Sequence, residues 1–242
     1  MFQLTNIINN TYKYFKLIIV GIIVFQLNNT QSYSYQTDKK INEIIKKVLE
    51  TDQKNKSYQA QINIYSKGYY EKGIKTLTEK ETRISGLLTF KKPAKVLFKV
   101  DQSLDPMAVG STLLYTGGEK VQVRASGILG LFKVSFRIDD PMFSNARNHK
   151  FSFDGLKNLR SGILKADVLG KILRNGKDSF ILRVESVIKA DPEITHEIYF
   201  VDIETYRVLA IEMYVNNNMV SQYSIKNIKA NIVKNDNEVF KL

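Results

Sequence analysis

Apolar and polar residues alternate with a period of two over most of the chain after residue 57. In the first such stretch the apolar side chains occupy every second position, at Tyr58, Ala60, Ile62 and Ile64. Successive side chains of a β-strand point to opposite faces, so this period predicts strands with one apolar and one wet face. The pattern recurs at residues 95–101, 121–125, 132–138, 196–201, 206–215 and 219–229. The chain is therefore predicted to form ten or so antiparallel strands.

Glycine and asparagine pairs mark the connections between these strands. Gly117-Gly118 separates two alternating stretches, and Asn175-Gly176 lies between residues 168–174 and 179–188. Asn-Gly is the strongest short signal for a two-residue type I′ hairpin turn. The prediction is an antiparallel meander of hairpins.

Two helical segments interrupt this pattern. Residues 38–52 carry an apolar stripe at helical spacing, with Asp38 placed to cap the first turn: Ile41, Ile44, Ile45, Val48 and Leu49. Between about 151 and 167 the alternation fails, which predicts a short mid-chain helix. The fold class is thus α+β and mostly β: a long, strongly curved antiparallel sheet wrapped over its helices.

The first 34 residues are typical of an export signal. Lys13 and Lys16 precede an apolar core at residues 17–27, and Ser32-Tyr33-Ser34 offers the small-x-small cleavage pattern. The core is shorter than the roughly 20 residues of a membrane-spanning helix, although an uncleaved anchor remains an alternative. We expect residues 35–242 to form one periplasmic or secreted domain.

The charge and composition exclude several function classes. The formal net charge is +12 at pH 7, which favours anionic partners such as a membrane surface or an acidic glycan. A solvated lysine-rich surface without a partner is the simpler interpretation. Nucleic acid is not expected behind an export signal. The absence of cysteine excludes disulfides, thiolate chemistry and a lipid-modified N-terminal cysteine.

No catalytic or metal-binding pattern is present in the sequence. His149 lies among cations, and His196 opens a strand with Glu197 on the other face, so both are interpreted as exposed or edge histidines. A hydrolase built on Asp101, Asp139 or Asp140 would need two facing carboxylates, which spacing alone does not establish. We therefore predict no enzyme activity, no cofactor and no metal.

Several strands are apolar on both faces, which suits either a ligand cavity or a packed core or dimer seam. A sheet that is covered by helices on one side would hold an acyl chain against its apolar residues. The candidate lining residues are Val96, Phe98, Phe132, Val134, Phe136, Phe200 and Met213. A second candidate is an exposed hydrophobic tip at Ile128, Leu129 and Leu131, although such a run also commonly begins a strand.

The central block of the chain carries a family resemblance. Its residues are Lys92-Pro93 with Val96 to Val100, Leu113-Leu114-Tyr115 with Gly117-Gly118, Asp140-Pro141, Ala146 to His149, and Gly155-Leu156 with Leu159. This order resembles the secreted bacterial family known as domain of unknown function 1571, and more distantly the LolA and LolB lipoprotein carriers. The resemblance implies a half-open barrel with an apolar cavity. For LolA and LolB it implies carriage of lipid-modified proteins across the periplasm.

Two function classes follow from these expectations. The first is a periplasmic, non-enzymatic binding protein for lipid, acyl chains or lipoprotein cargo, with transient contact to an anionic membrane surface. The alternative is an envelope interaction module that binds a protein or an anionic glycan through a basic face and has no lipid cavity. An open or a filled interior distinguishes the two.

Overall fold

The structure is a computed structural model that describes residues 39–67, 81–93, 95–117, 120–125, 133–137, 156, 159, 163–186, 194–233 and 235–242. A helix, α1 (Lys39–Lys54), precedes the strands. The first six strands are β1 (Ser57–Lys67), β2 (Glu81–Lys91), β3 (Lys95–Ser103), β4 (Thr112–Thr116), β5 (Lys120–Arg124) and β6 (Lys133–Arg137). The last five are β7 (Ile163–Arg174), β8 (Lys177–Ser186), β9 (His196–Asp202), β10 (Val208–Val215) and β11 (Asn218–Ala230), followed by α2 (Asp236–Val239).

All eleven strands of the described ranges belong to one antiparallel sheet. Its order is β6-β5-β4-β3-β2-β1-β11-β10-β9-β8-β7, so β1 and β11 meet in the middle. In the described part of the chain, β6 and β7 form the two edges and do not pair with each other. The predicted fold class is confirmed: a mostly β chain with a strongly curved, unclosed antiparallel sheet and an N-terminal helix.

Helix α1 forms where its apolar stripe predicted it. Ile41, Ile44, Ile45 and Val48 are buried. Lys47 donates a hydrogen bond to the Tyr206 hydroxyl (3.2 Å). In the last turn of α1, the Asp52 carboxylate contacts the ammonium of Lys92, which follows β2 (2.8 Å). These polar contacts hold α1 between the β9–β10 turn and the β2–β3 turn. No helix in the described ranges is long and apolar enough to cross a membrane.

The mid-chain helix needs a correction at its C-terminal boundary. Strand β7 begins at Ile163, so residues 163–167 are extended rather than helical. These residues form a ladder with β8, in which Ala166 lies opposite Val184, and this pairing overrides the weak local pattern. Leu156 and Leu159, from the middle of the predicted helix, are buried. The rest of that helix, the signal peptide and Asp38 lie outside the described residues.

The hairpin turns follow their local chemistry. Asn175 and Gly176 both have positive φ, 52° and 74°, as the central residues of a type I′ turn require. Gly117, which follows β4, has φ of 90°. The predicted hairpins at these two sites are confirmed.

Asp202 caps the β9–β10 turn, and its ionisation supports a pH-dependent prediction. Burial alone would raise the pKa of its carboxyl, but hydrogen bonds from Lys177 (2.7 Å), Thr205 (2.8 Å) and the Glu204 amide (2.9 Å) hold the pKa below its usual value. A depressed carboxyl pKa stabilises the fold above the unfolded-state pKa of about 3.9, and this stabilisation is lost as the pH falls through the folded-state pKa.

We therefore expect Asp202→Asn to lower the melting temperature at pH 7. Below about pH 4, the melting temperature of the variant should decrease less steeply with pH than that of the wild type. Thermal unfolding followed by circular dichroism across this range tests the prediction. Asp167→Asn, at the more exposed Lys165 pair, is the control and should change little. If the melting temperature of Asp202→Asn decreased below pH 4 as steeply as that of the wild type, the depressed pKa of Asp202 would not be a source of stability.

Candidate functional site

One face of the sheet carries both buried apolar clusters. Strand register puts Ile62 opposite Ile225 and Tyr223 opposite Ile211, so the inward side chains of both halves share a face. We call it the helix face, because α1 packs on it, and we call the other the outer face. The helix face contains two buried clusters, one in each half of the sheet.

The first cluster is built almost entirely from strands. Its buried members belong to β1–β5, with Ala108 contributed by a 3₁₀ turn, Pro106–Ala108. Tyr223, Ile225 and Ile228 of β11 pack beside it. In the described ranges, no α-helical residue belongs to this cluster. Within the part of the chain that the structure describes, this half of the apolar face therefore has no helix packed on it.

The second cluster has a helix. The stripe of α1 packs there with Leu182, Tyr199, Val201 and Ile211 from β8–β10, and with Leu156 and Leu159. Leu182 and Val201 are completely buried. This half is a conventional core in which a helix covers a sheet.

The structure brings together only some of the predicted lining residues. Val96 and Phe98 lie in the first cluster, each 1% exposed. Met213 is partly buried on the helix face, opposite Glu197 and Ser221. Phe200 lies on the outer face, because its neighbours Tyr199 and Val201 point inward.

Strand β6 and the predicted tip complete the set of sequence candidates. In register, Val134 lies opposite Val123 and Phe136 opposite Val121. The backbone thus assigns both positions to the helix face beside the first cluster. Phe132 and the tip residues lie outside the described part of the chain: Ile128, Leu129 and Leu131.

A buried carboxylate on the helix face was not predicted as a site. Glu197 is 6% exposed, and the Tyr199 hydroxyl donates to its Oε2 at 2.5 Å. Burial, together with the nearby Glu197 charge, raises the pKa of Tyr199 well above its usual value. The phenol therefore remains a hydrogen-bond donor at neutral pH. The signal was present in the sequence, since the alternation of β9 places Glu197 on the same face as Tyr199.

The outer face carries a polar cluster that no local pattern indicates. The tip of the β7–β8 hairpin reaches β10, where Arg174 contacts Glu212 (3.1 Å) and lies over the Phe200 ring (4.5 Å). Glu212 also accepts hydrogen bonds from Gln222 (2.6 Å) and Tyr214 (2.9 Å). Burial and the hydrogen bond to Glu212 raise the pKa of Tyr214 to about 12. This satisfied carboxylate is a structural link rather than a general base.

His196 is buried, contrary to the expectation of an exposed or edge histidine. It is 8% exposed, and its ring stacks on Tyr214 with centroids 4.9 Å apart. The reason is topological, because β9 lies between β8 and β10. Burial, and secondly the Arg183 charge, lower the pKa of His196. Glu197 is on the other face, as the alternation predicted.

The described residues contain no recognisable reaction centre. No group of three histidine or acidic side chains within these ranges is arranged to hold a metal ion. Asp101 is exposed on the outer face and accepts a hydrogen bond from Gln61 (3.1 Å). Asp139, Asp140 and His149 lie outside the described ranges.

Comparison with known proteins gives distant likenesses to solved structures. No family model matches the chain, and no curated protein matches it. The Mycobacterium tuberculosis lipoprotein LppX is 12% identical, with 82% of this chain and 99% of that chain covered and a TM-score of 0.49. An uncharacterized conserved protein from Thermus thermophilus is 10% identical, with 84% and 94% covered and a TM-score of 0.49.

A LolA superfamily protein from Nitrosomonas europaea is also similar. It is 10% identical, with 83% of this chain and 97% of that chain covered and a TM-score of 0.36. At such identities and TM-scores, no function or site residue transfers to this chain. The resemblance to the domain of unknown function family 1571 stays a prediction.

Proposed function

We propose that this chain is a non-enzymatic binding protein of the cell envelope that holds a lipid or the acyl chain of a lipoprotein. The site is the strand-built half of the helix face, around Val96 and Phe98. The observation that carries the proposal is the unequal cover of the two apolar clusters. Helix α1 packs on the second cluster, whereas the first has no α-helical member among the described residues.

An apolar sheet face on which no helix of the described residues packs is a suitable surface for an acyl chain. Sheets bury an apolar face against another element, and an acyl chain supplies the same chemistry as a helix stripe. Burial of each methylene contributes about 0.8 kcal/mol, so about ten of them give roughly 8 kcal/mol before the costs of association. A net binding free energy of about 8 kcal/mol corresponds to micromolar affinity, and the costs of association make binding weaker than this.

The deep burial of the first cluster favours a second function, that of an interaction module without a lipid cavity. Val96 and Phe98 are each only 1% exposed, so the first cluster is closed in this structure. An acyl chain would have to displace whatever shields these side chains. A permanently closed interior instead suits an interaction module that binds its partner on the outer face.

Lipid extraction and titration distinguish these two functions. We expect organic extraction of the purified protein to release co-purified lipid, and a polarity-sensitive fluorescent fatty acid to bind to the delipidated protein. Ala60→Leu adds bulk to the first cluster, where Ala60 is 1% exposed, and should weaken fatty-acid binding at least fivefold. The matched control is Ala166→Leu in the second cluster, where Ala166 is 5% exposed, and its binding should stay unchanged.

Both variants overfill a packed region, at a cost of about 1–3 kcal/mol. Circular dichroism at the titration temperature must therefore show both to be folded. If neither variant folds, the wild-type extraction and titration remain decisive. A wild-type protein that contains no lipid and takes up no fatty acid would leave the interaction module as the function.

A further inference from the structure

We propose that the outer face of β1–β6 and β11 is a docking surface for an anionic lipid membrane. The surface, which we call the basic face, is defined by six cations: Lys99, Lys120, Arg124, Lys133, Lys226 and Lys229. It lies on the side opposite the acyl-chain site, and its assignment does not depend on that site. The inference goes beyond lipid binding because it names the surface at which the protein would meet a bilayer.

Strand register assembles the basic face from distant parts of the chain. Lys226 of β11 lies opposite Gln61, which lies opposite Leu87, and Leu87 lies opposite Lys99 of β3. The same row continues through Thr112 and Arg124 to Lys133 of β6. At about 4.8 Å between strands, this row spans on the order of 30 Å along the sheet.

The remaining two cations extend the face in the other direction. Lys229 lies opposite Gln59, and Lys120 lies at the other end of β5 from Arg124. Both point outward, because the adjacent residues Ile228 and Val121 point into the interior. The cations therefore cover an area of the sheet and do not follow a single line.

The side chains of the basic face are accessible. Lys99, Lys120, Lys133, Lys226 and Lys229 are exposed, and Arg124 is partly buried. Two carboxylates share this face in the described strands. Glu81, at its far end, is paired with Arg83 (3.2 Å), and Asp101 accepts a hydrogen bond from Gln61 (3.1 Å). The face consequently carries a positive excess.

One contact within the face is unfavourable for the isolated protein. Arg124 and Lys133 lie directly opposite each other on β5 and β6. Like charges at directly opposed positions of neighbouring strands destabilise a sheet. The Lys133 ammonium contacts a Leu242 oxygen (2.5 Å), which offsets part of this repulsion. A negatively charged partner would offset the rest.

The kind of cation points to a membrane rather than to a specific acidic chain. Five of the six are lysines, which act as hydrated point charges, whereas the planar fork of arginine selects phosphate or carboxylate groups by bidentate hydrogen bonding. Spread over an area of sheet surface, such charges suit a laterally mobile layer of headgroups. Each cation near an anionic bilayer raises the partition coefficient roughly fivefold.

Vesicle co-sedimentation tests this surface directly. We expect the full chain to bind phosphatidylglycerol vesicles and not phosphatidylcholine vesicles. Binding should fall as the ionic strength rises from about 0.1 M to about 1 M, which shortens the Debye length from about 10 Å to about 3 Å. The triple variant Lys99→Gln, Lys120→Gln and Lys226→Gln should bind at least tenfold more weakly.

The matched control removes three exposed lysines from α1, as Lys39→Gln, Lys46→Gln and Lys54→Gln. It has the same net charge as the test variant and should retain wild-type binding. Equal losses in both variants, or equal binding to the two lipids, would overturn the proposal. Tighter binding to polygalacturonate than to vesicles would overturn it in favour of an acidic glycan. Fatty-acid titration without vesicles reports on the acyl-chain site separately.

Discussion

Gly86→Ala is expected to destabilise the protein by about 3 kcal/mol, the cost of strong overpacking. Gly86 lies on the helix face of β2, opposite Ile62 of β1 and at a register shift against β3. A Cβ atom built there would lie 2.1 Å from the Lys99 carbonyl oxygen and 2.9 Å from two carbon atoms of the Phe98 ring. The nearest atom belongs to the backbone, so the ladder between β2 and β3 has to shift. Urea unfolding measures the loss.

The control for this substitution is Gly176→Ala. Gly176 has a φ of 74°, and a Cβ atom at this position would meet no atom within 4 Å apart from those of its own residue and its two chain neighbours. Alanine at this position should lower the free energy of unfolding only through the strain of a left-handed backbone conformation, by about 1–2 kcal/mol. A loss in Gly86→Ala that is no larger than in Gly176→Ala would show that the close approach of β2 and β3 is not as described.

Phe98→Ala is expected to cost about 3–5 kcal/mol, because it empties a large buried site. Phe98 is 1% exposed, and its ring lies over Gly86 in the first cluster. The loss combines the transfer free energy of the ring with the cavity that remains, since the surrounding strands are held by their ladders. The free energy of unfolding from urea titration gives the value.

Leu97→Ala provides the matched control in the same strand. Leu97 points to the outer face and is only partly buried, so its truncation should cost about 1 kcal/mol. The two substitutions remove adjacent apolar side chains from opposite faces of one strand. Similar losses would mean that the first cluster is not the packed core of this half of the sheet.

Local patterns predicted the elements that depend on local interactions. The stripe from Ile41 to Val48 predicted α1, and Asn175-Gly176 predicted the β7–β8 turn. Both rest on neighbouring residues, through side-chain spacing or backbone φ preference. The prediction of helix at 163–167 was wrong because β8 supplies a partner strand that the local pattern does not reveal.

The candidate sites depended more strongly on long-range pairing. Alternation correctly implied that Val96 and Phe98 share a face. It did not reveal that Phe200 lies on the outer face beneath Arg174, because β9 is apolar on both faces. The Arg174–Glu212 contact joins residues 38 positions apart, and it depends on where the hairpin tip crosses the sheet.

By itself, the sequence determined that this chain forms a mostly β fold whose strands carry at least one apolar side, because side-chain alternation is a local property of an extended backbone. It also determined an excess of cations. The tertiary structure decided which strands became neighbours, with β1 beside β11 at the centre of the sheet. Only this pairing places Lys226 in one row with Lys99 and Lys133, and only the position of α1 makes the second cluster the one that a helix of the described residues covers. Both depend on contacts between residues far apart in the chain, which no local pattern specifies.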